Sequence, residues 1–291
     1  MKFTKMHGIG NDYIYIDCLD GRFGGADASL IADDDALAAI SRRLSDRHCG
    51  IGGDGIILIL PSEIADFRMR IFNADGSEAK MCGNGSRCVG KYVYDNGYAK
   101  STDITLETLS GIKYLHLIPG ADGKVESVTV DMGAPVFVPA EIPVALPDGA
   151  SNAGIQVDID GEGIELTAVS MGNPHGVVFV PSLDEVDVHG IGSRLEHHAI
   201  WPDRANIEFA EVQNPGSIRM RVWERGSGET MACGTGACAT AVAAMLTNRT
   251  DADEVTIHLL GGDLKIRWDR EADRVFMTGP ATCVFSGEVD L

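Results

Sequence analysis

The chain contains one segment twice. MCGNGSRC at residues 81–88 returns as ACGTGAC at residues 232–238, displaced by 151 positions, and the match extends upstream without a gap. Arg68, Met69, Arg70, Glu78, Cys82, Gly83 and Gly85 stand opposite Arg219, Met220, Arg221, Glu229, Cys233, Gly234 and Gly236, which is 7 identities over the 19 positions of 67–85. A duplicated frame of this kind predicts two like domains, and 291 residues at 44% hydrophobic suffice for two buried cores. Each copy places one Cys at a Gly-rich turn, so the pattern points to a single site built from both halves.

The order of parts repeats as well. Residues 3–18 read as strand, loop (6–12) and strand, with Asn11 in the loop, and residues 166–180 repeat this arrangement with Asn173 in the corresponding place. Apolar spacing over 29–44 predicts a helix with an Asp-rich start, and 183–198 a second one. Residues 67–72 and 218–223 alternate as antiparallel strands. Helices are expected over 86–96, stopped by Gly97, and over 235–246, which is apolar on every face and so must be surrounded by sheet. Strand-like segments fill 104–138, 254–259, 263–268 and 274–278, and a last strand is expected after Pro280. Gly50, Gly52 and Gly55 satisfy a GxGxxG pattern. A dinucleotide loop must follow a strand and open a helix, whereas here a helix precedes and a strand follows, which leaves a tight turn.

A Cys just before a Gly-rich helix start meets free backbone N–H groups and the positive end of the helix dipole. Both stabilise a thiolate, and both can hold a substrate carboxylate. Gly83, Gly85, Gly234 and Gly236 allow the backbone to approach that carboxylate closely. A thiolate on one face of a carbon and a thiol on the other would invert a stereocentre, one removing the proton and the other delivering it. The remaining five thiols lack this paired relation and read as packing. Around the two copies, Asn11, Asn73, Asn173 and Asn206 are turn formers or uncharged amides suited to a zwitterionic ligand. Glu224 and Arg225 read as a salt-linked surface turn or as site residues. His175, taken alone, reads as a solvent-exposed loop residue.

A net charge of −19 and no basic run disfavour nucleic acid and anionic membrane surfaces as partners. The first residues lack a secretory core, and the uncharged stretch 230–248, rich in Gly, Thr and Ala, reads as a buried helix rather than a membrane span. Seven Cys without a CxxC pair suggest reduced thiols in a cytoplasmic protein, with no metal site.

At HGIGNDYIYID, DRHCGIGGDG, RIFNADGSEAKMCGNGSRC, SMGNPHGVVFV, WERGSGETMACGTGACA and MTGPATCVFSGEV the chain resembles the diaminopimelate epimerases over essentially its whole length. The resemblance implies an α+β fold of two pseudo-symmetric domains, each a mainly antiparallel sheet or barrel around a central helix. Residues 1–126 with 277–291 would form one domain and 127–276 the other, with the active site in the cleft between. It implies a cofactor-independent interconversion of LL- and meso-2,6-diaminopimelate, supplying lysine and peptidoglycan synthesis, in an enzyme that can be a homodimer. It further implies that Cys82 and Cys233 are the acid/base thiols and that Asn11, Asn73, Asn173, Asn206, Glu224 and Arg225 bind substrate. Gly83, Asn84, Gly234 and Thr235 would form the backbone carboxylate clamps, and His175 and Glu224 would tune the thiols. Where some members carry a ligand-touching Gln, this chain has Gly55. The alternatives are a racemase of another amino acid on the same scaffold, or a thiol redox or metal-binding protein.

Overall fold

The hairpin that opens the chain is tighter than its sequence suggests. In the computed structural model, which describes residues 1–147 and 149–291, β1 (Lys2–Gly8) and β2 (Asn11–Asp17) are joined by Ile9 and Gly10 alone. Residues 6–8 therefore stay in a strand and Asn11 begins one, in place of the polar loop expected over 6–12. Ile9 and Gly10 take φ of 49° and 87°, the pairing of positive angles that matches the twist of the flanking strands. A β-branched residue pays about 1–2 kcal/mol for that conformation. Ile9 is only 3% exposed, and its burial offsets the cost.

Asp33 divides the expected helix over 29–44. A 3-10 turn spans Ala28–Ala32, and the Asp33 side chain then accepts from Ala36 N to start α1 (Asp34–Ser45). Asp34 and Asp35 in the first turn and Arg42 and Arg43 in the last complement the helix dipole. The GxGxxG stretch connects α1 to β3 (Gly55–Leu60), so a helix does precede it and a strand does follow. Next come β4 (Phe67–Asn73), β5 (Glu78–Ala79), α2 (Gly83–Asp95), β6 (Asp103–Thr108), β7 (Gly111–Pro119) and β8 (Val125–Gly133).

The same succession follows a second time. It runs β9 (Ile155–Ile159), β10 (Glu162–Ser170), β11 (Pro174–Phe179), α3 (Val188–Glu196), β12 (Asn206–Asn214), β13 (Ser217–Glu224), β14 (Gly228–Glu229), α4 (Gly234–Leu246), β15 (Glu254–Leu259), β16 (Gly262–Asp269) and β17 (Arg274–Pro280). The expected helix over 183–198 is also interrupted. After a 3-10 turn at Leu183–Glu185, the Asp187 carboxylate caps α3 by accepting from Gly190 N. Strand β18 (Thr282–Glu288) ends the chain.

The contacts divide the protein into two units, residues 1–130 with 279–291 and residues 131–278. Their strand pairings repeat. In the first unit β2 is parallel to β3, β3 antiparallel to β4, β4 parallel to β6, and β6 antiparallel to β7. In the second, β11, β12, β13, β15 and β16 follow the same sequence of parallel and antiparallel neighbours. The outer strand differs in origin. β1 is flanked by β18 from the C-terminus, whereas its counterpart β10 is flanked by β9, which immediately precedes it.

Each sheet carries a helix on both faces. In the first unit Leu37 and Leu44 of α1 cover Ile14, Ile16, Ile56, Leu58 and Phe72. In the second, Leu195 of α3 belongs to the cluster of Val178, Ile207 and Phe209. The other faces receive α2 and α4, the latter packed by β10, β11, β12, β13, β15 and β16. Only Thr235 and Leu246 of α4 escape burial, which fits its apolar circumference. Among the described residues no helix is long and apolar enough to cross a membrane.

Candidate active site

Both repeated cysteines are helix caps. Cys82 and Cys233 hold extended backbones, φ −140° and −123°, immediately before α2 and α4. Each Sγ accepts from the amide three residues on, Gly85 N at 3.3 Å and Gly236 N at 3.4 Å. A thiolate here would meet the free N–H groups and positive dipole end of a helix. The adjoining Gly83 and Gly234 are buried at the helix starts.

In the first unit, Cys82 is half-buried and its Sγ donates to Asn11 Oδ1 at 3.3 Å. Asn84 Nδ2 donates to the same oxygen at 3.3 Å, and Asn11 Nδ2 is anchored on Asp54 Oδ2 at 2.7 Å. Asn73 ends β4, on the far side of β3 from β2, and its Oδ1 accepts from the Tyr13 hydroxyl at 3.4 Å while its Nδ2 donates to Ser77. Thus Cys82, Asn11 and Asn84 form one hydrogen-bonded group, and Asn73 is tied to Tyr13. Asp54 is a part of this group that the sequence reading passed over as turn chemistry.

Position 55 has no room for a side chain. A Cβ on Gly55 would stand 2.1 Å from the Phe72 carbonyl oxygen and 2.9 Å from Tyr13 Cε1. A Gln at this position would require the backbone of β4 to move.

In the second unit the surroundings are ionisable. His175 is fully buried in β11 rather than exposed in a loop, because the strand already begins at Pro174. Its Nδ1 lies 2.7 Å from Oε1 of Glu208, also fully buried, and its Nε2 lies 3.0 Å from Asn173 Oδ1. Asn173 Nδ2 donates to Thr235 Oγ1 at 3.4 Å, and that hydroxyl lies 3.5 Å from Cys233 Sγ. Glu224 accepts from Thr230 Oγ1 at 2.5 Å, and its carboxylate lies near enough to Cys233 to act on the thiol. Asn206 spans the backbone, donating to the Pro174 carbonyl at 3.1 Å and accepting from Arg225 N at 3.0 Å. The Arg225 side chain points away to the Asp203 carbonyl at 3.0 Å and is exposed. Glu224 and Arg225 thus part company, one turned to the thiol and the other to solvent.

Burial changes the thiol chemistry expected from a helix start. Cys233 is 5% exposed, and its thiol is held well above its ordinary range by burial first and by the nearby Glu224 and Glu208 carboxylates next. Hydrogen bonds from Thr235 and the Gly236 amide act in the opposite direction and do not prevail. Glu224 is raised too, again by burial first, while its bond to Thr230 and the neighbouring Cys233 oppose the shift. This arrangement favours Cys233 as a protonated thiol next to a carboxylate able to exchange that proton, which suits an acid/base group.

The family model and the curated relatives name one family. The family model described as Diaminopimelate epimerase matches residues 3–138 and 167–284. A diaminopimelate epimerase of Desulfovibrio desulfuricans is 52% identical over 99% of this chain and 98% of its own length. One from Acetivibrio thermocellus is 50% identical, over 100% of this chain and 99% of its own. Among solved structures, a Bacillus anthracis phenazine biosynthesis protein of the PhzF family superposes with a TM-score of 0.71 at 19% identity. The match covers 100% of this chain and 99% of that one, and it shows a shared fold.

Proposed function

Because the chain belongs to the diaminopimelate epimerase family, we propose that it interconverts LL- and meso-2,6-diaminopimelate without a cofactor, by acid/base chemistry at Cys82 and Cys233. The observation that carries the mechanism is the equivalence of the two thiols. Each caps the same helix of a repeated unit, and each receives an amide N–H at the third position of that helix. Two groups placed alike on the backbone suit a reaction that runs in both directions, since the acid of one direction is the base of the other.

In this reading one thiolate removes the α-proton and the opposite thiol delivers a proton to the other face of the carbon. The cleaved C–H leaves its electron pair on carbon, and that pair then takes the second proton, so the thiols exchange states in each turnover. The N–H groups beside Gly83, Asn84, Gly234 and Thr235 hold the substrate carboxylate. Asn11, Asn73, Asn173 and Asn206, with Glu224 and Arg225, recognise the rest of the zwitterion, and His175 and Glu224 adjust the proton affinities of the thiols. The two units serve as the two epimerase domains. A cytoplasmic homodimer completes the proposal, and the exposure of Val284 (54%) and Phe285 (47%) on β18 is consistent with pairing. Incubation with LL-diaminopimelate should yield the meso isomer on a chiral separation. Turnover of proline or hydroxyproline with none of diaminopimelate would instead assign the scaffold to another amino acid.

A further inference from the structure

The two repeats are alike in backbone and unlike in the buried residues beneath the thiol. Above Gly85, the position a Cβ would take is 2.7 Å from Ile57 Cδ1 and 3.6 Å from Cys82 Sγ. Above Gly236, the corresponding point is 2.5 Å from Glu208 Oε1 and 3.2 Å from Cys233 Sγ. Ile57 and Glu208 are 151 positions apart, the displacement of the repeat itself. Glu208 is fully buried, and its Oε2 has no hydrogen-bond partner among the described residues. A carboxylate placed only for stability would have both oxygens satisfied, since an unpartnered buried oxygen costs about 1–3 kcal/mol.

The hydrogen bonds around Glu208 form a chain with a fixed direction. Asn173 Nδ2 donates to Thr235 Oγ1, so Asn173 Oδ1 is the acceptor that faces His175 Nε2, and Nε2 must carry a hydrogen. With Nε2 protonated, the 2.7 Å contact between Nδ1 and Glu208 Oε1 contains one proton, carried by either partner. Thr235, having accepted from Asn173, keeps its own hydroxyl hydrogen for Cys233 Sγ.

We propose that Glu208 is a positioning residue for Cys233: paired with His175, it locks Nε2–H toward Asn173 and so makes Thr235 a donor to the thiol. This inference rests on the two-thiol reading above and extends it to a fully buried residue. The first repeat, with Ile57 and Tyr13 in place of Glu208 and His175, lacks this chain. Only one of the two acid/base groups is therefore oriented by it.

The test compares Glu208→Gln, Glu208→Ile and Thr235→Val, alone and combined. A Gln amide can donate to Nδ1 and keep Nε2 protonated, whereas Ile, the residue of the other repeat, leaves Nδ1 without a partner. Ring nitrogen-15 spectra of His175 should show a protonated Nε2 in the wild type and in Glu208→Gln, and a mixed state in Glu208→Ile. The Glu208→Ile change should lower kcat by up to about a hundredfold with KM little altered, and Glu208→Gln should restore most of it. In the Thr235→Val background Glu208→Ile should cost nothing further, because the chain is already cut. Full additivity of the two losses, an unchanged His175 spectrum in Glu208→Ile, or equal losses for Gln and Ile would each overturn the inference. Absence of epimerase activity in the wild type would instead reject the functional reading, and the spectra would still report on His175.

Discussion

Glu208 and Ile57 occupy one position in two copies of the same fold, a buried carboxyl in one and a buried hydrocarbon in the other, each set against the glycine that follows a thiol-capped helix start by two residues. The duplication has kept the backbone frame and let the chemistry beneath the two thiols diverge. Several expected outcomes follow from that divergence and from the packing around it.

Replacing Gly236 by Ala should harm activity more than replacing Gly85 by Ala. Both substitutions favour the helix by about 0.5–1 kcal/mol. At 236 the new methyl meets Glu208 Oε1 at 2.5 Å and Cys233 Sγ at 3.2 Å, and Glu208 is tethered to His175. At 85 the nearest atom is Ile57 Cδ1 at 2.7 Å, a terminal methyl that can rotate away. Comparison of kcat and melting temperature for the two variants checks this. Equal activities would show that the carboxylate yields as easily as the methyl.

Gly55→Gln should destabilise this protein instead of adding a substrate contact. The Cβ would overlap the Phe72 carbonyl at 2.1 Å, and relief requires β3 and β4 to separate where Gly55 pairs with Asn73. Overpacking of this kind costs about 1–3 kcal/mol, and thermal or urea unfolding would register it. Unchanged stability would mean that the strands can part freely.

Stability should fall on the alkaline side. Burial raises the thiol of Cys18 to about 12 and that of Cys88 to about 11, and holds Cys233 well above the ordinary value of 9.0. Above about pH 9 the unfolded chain releases thiol protons that the folded chain retains, so the unfolded state gains and stability declines as pH rises; below that pH these groups contribute no slope. Melting temperatures between pH 7 and 11 should show the decline, with a shallower alkaline slope in Cys18→Ala. Parallel curves for wild type and variant would remove Cys18 from the explanation.

The repeat made the twofold plan legible, because identical residues at a constant displacement forced identical strand order around each Cys. The caps were legible for a similar reason, since a Cys followed by alternating glycines leaves few other places for a helix to start. Glu208 was not. Ile207, Glu208 and Phe209 alternate as though one face of β12 were wet, but α3 covers one face and α4 the other, so the alternation separates two buried environments. His175 was read as a loop residue because Gly172, Asn173 and Pro174 signal a turn, while pairing with β10 and β12 draws the strand back to Pro174. Asp33 ended one helical element and began another, and Asp187 capped the start of α3 just after a separate 3-10 turn, roles that apolar spacing does not register.

Deuterium tracing at the α-carbon tests the central claim most directly. Epimerisation of LL-diaminopimelate in deuterated water, sampled early, should give meso product carrying deuterium at the inverted centre while recovered LL substrate keeps its hydrogen, because different thiols remove and deliver the proton. Loss of that epimerisation should follow from Cys82→Ala and from Cys233→Ala separately, by about 10²- to 10⁴-fold. Product that retains the original hydrogen, or an alanine variant that still epimerises at the wild-type rate, would contradict a mechanism with two thiols.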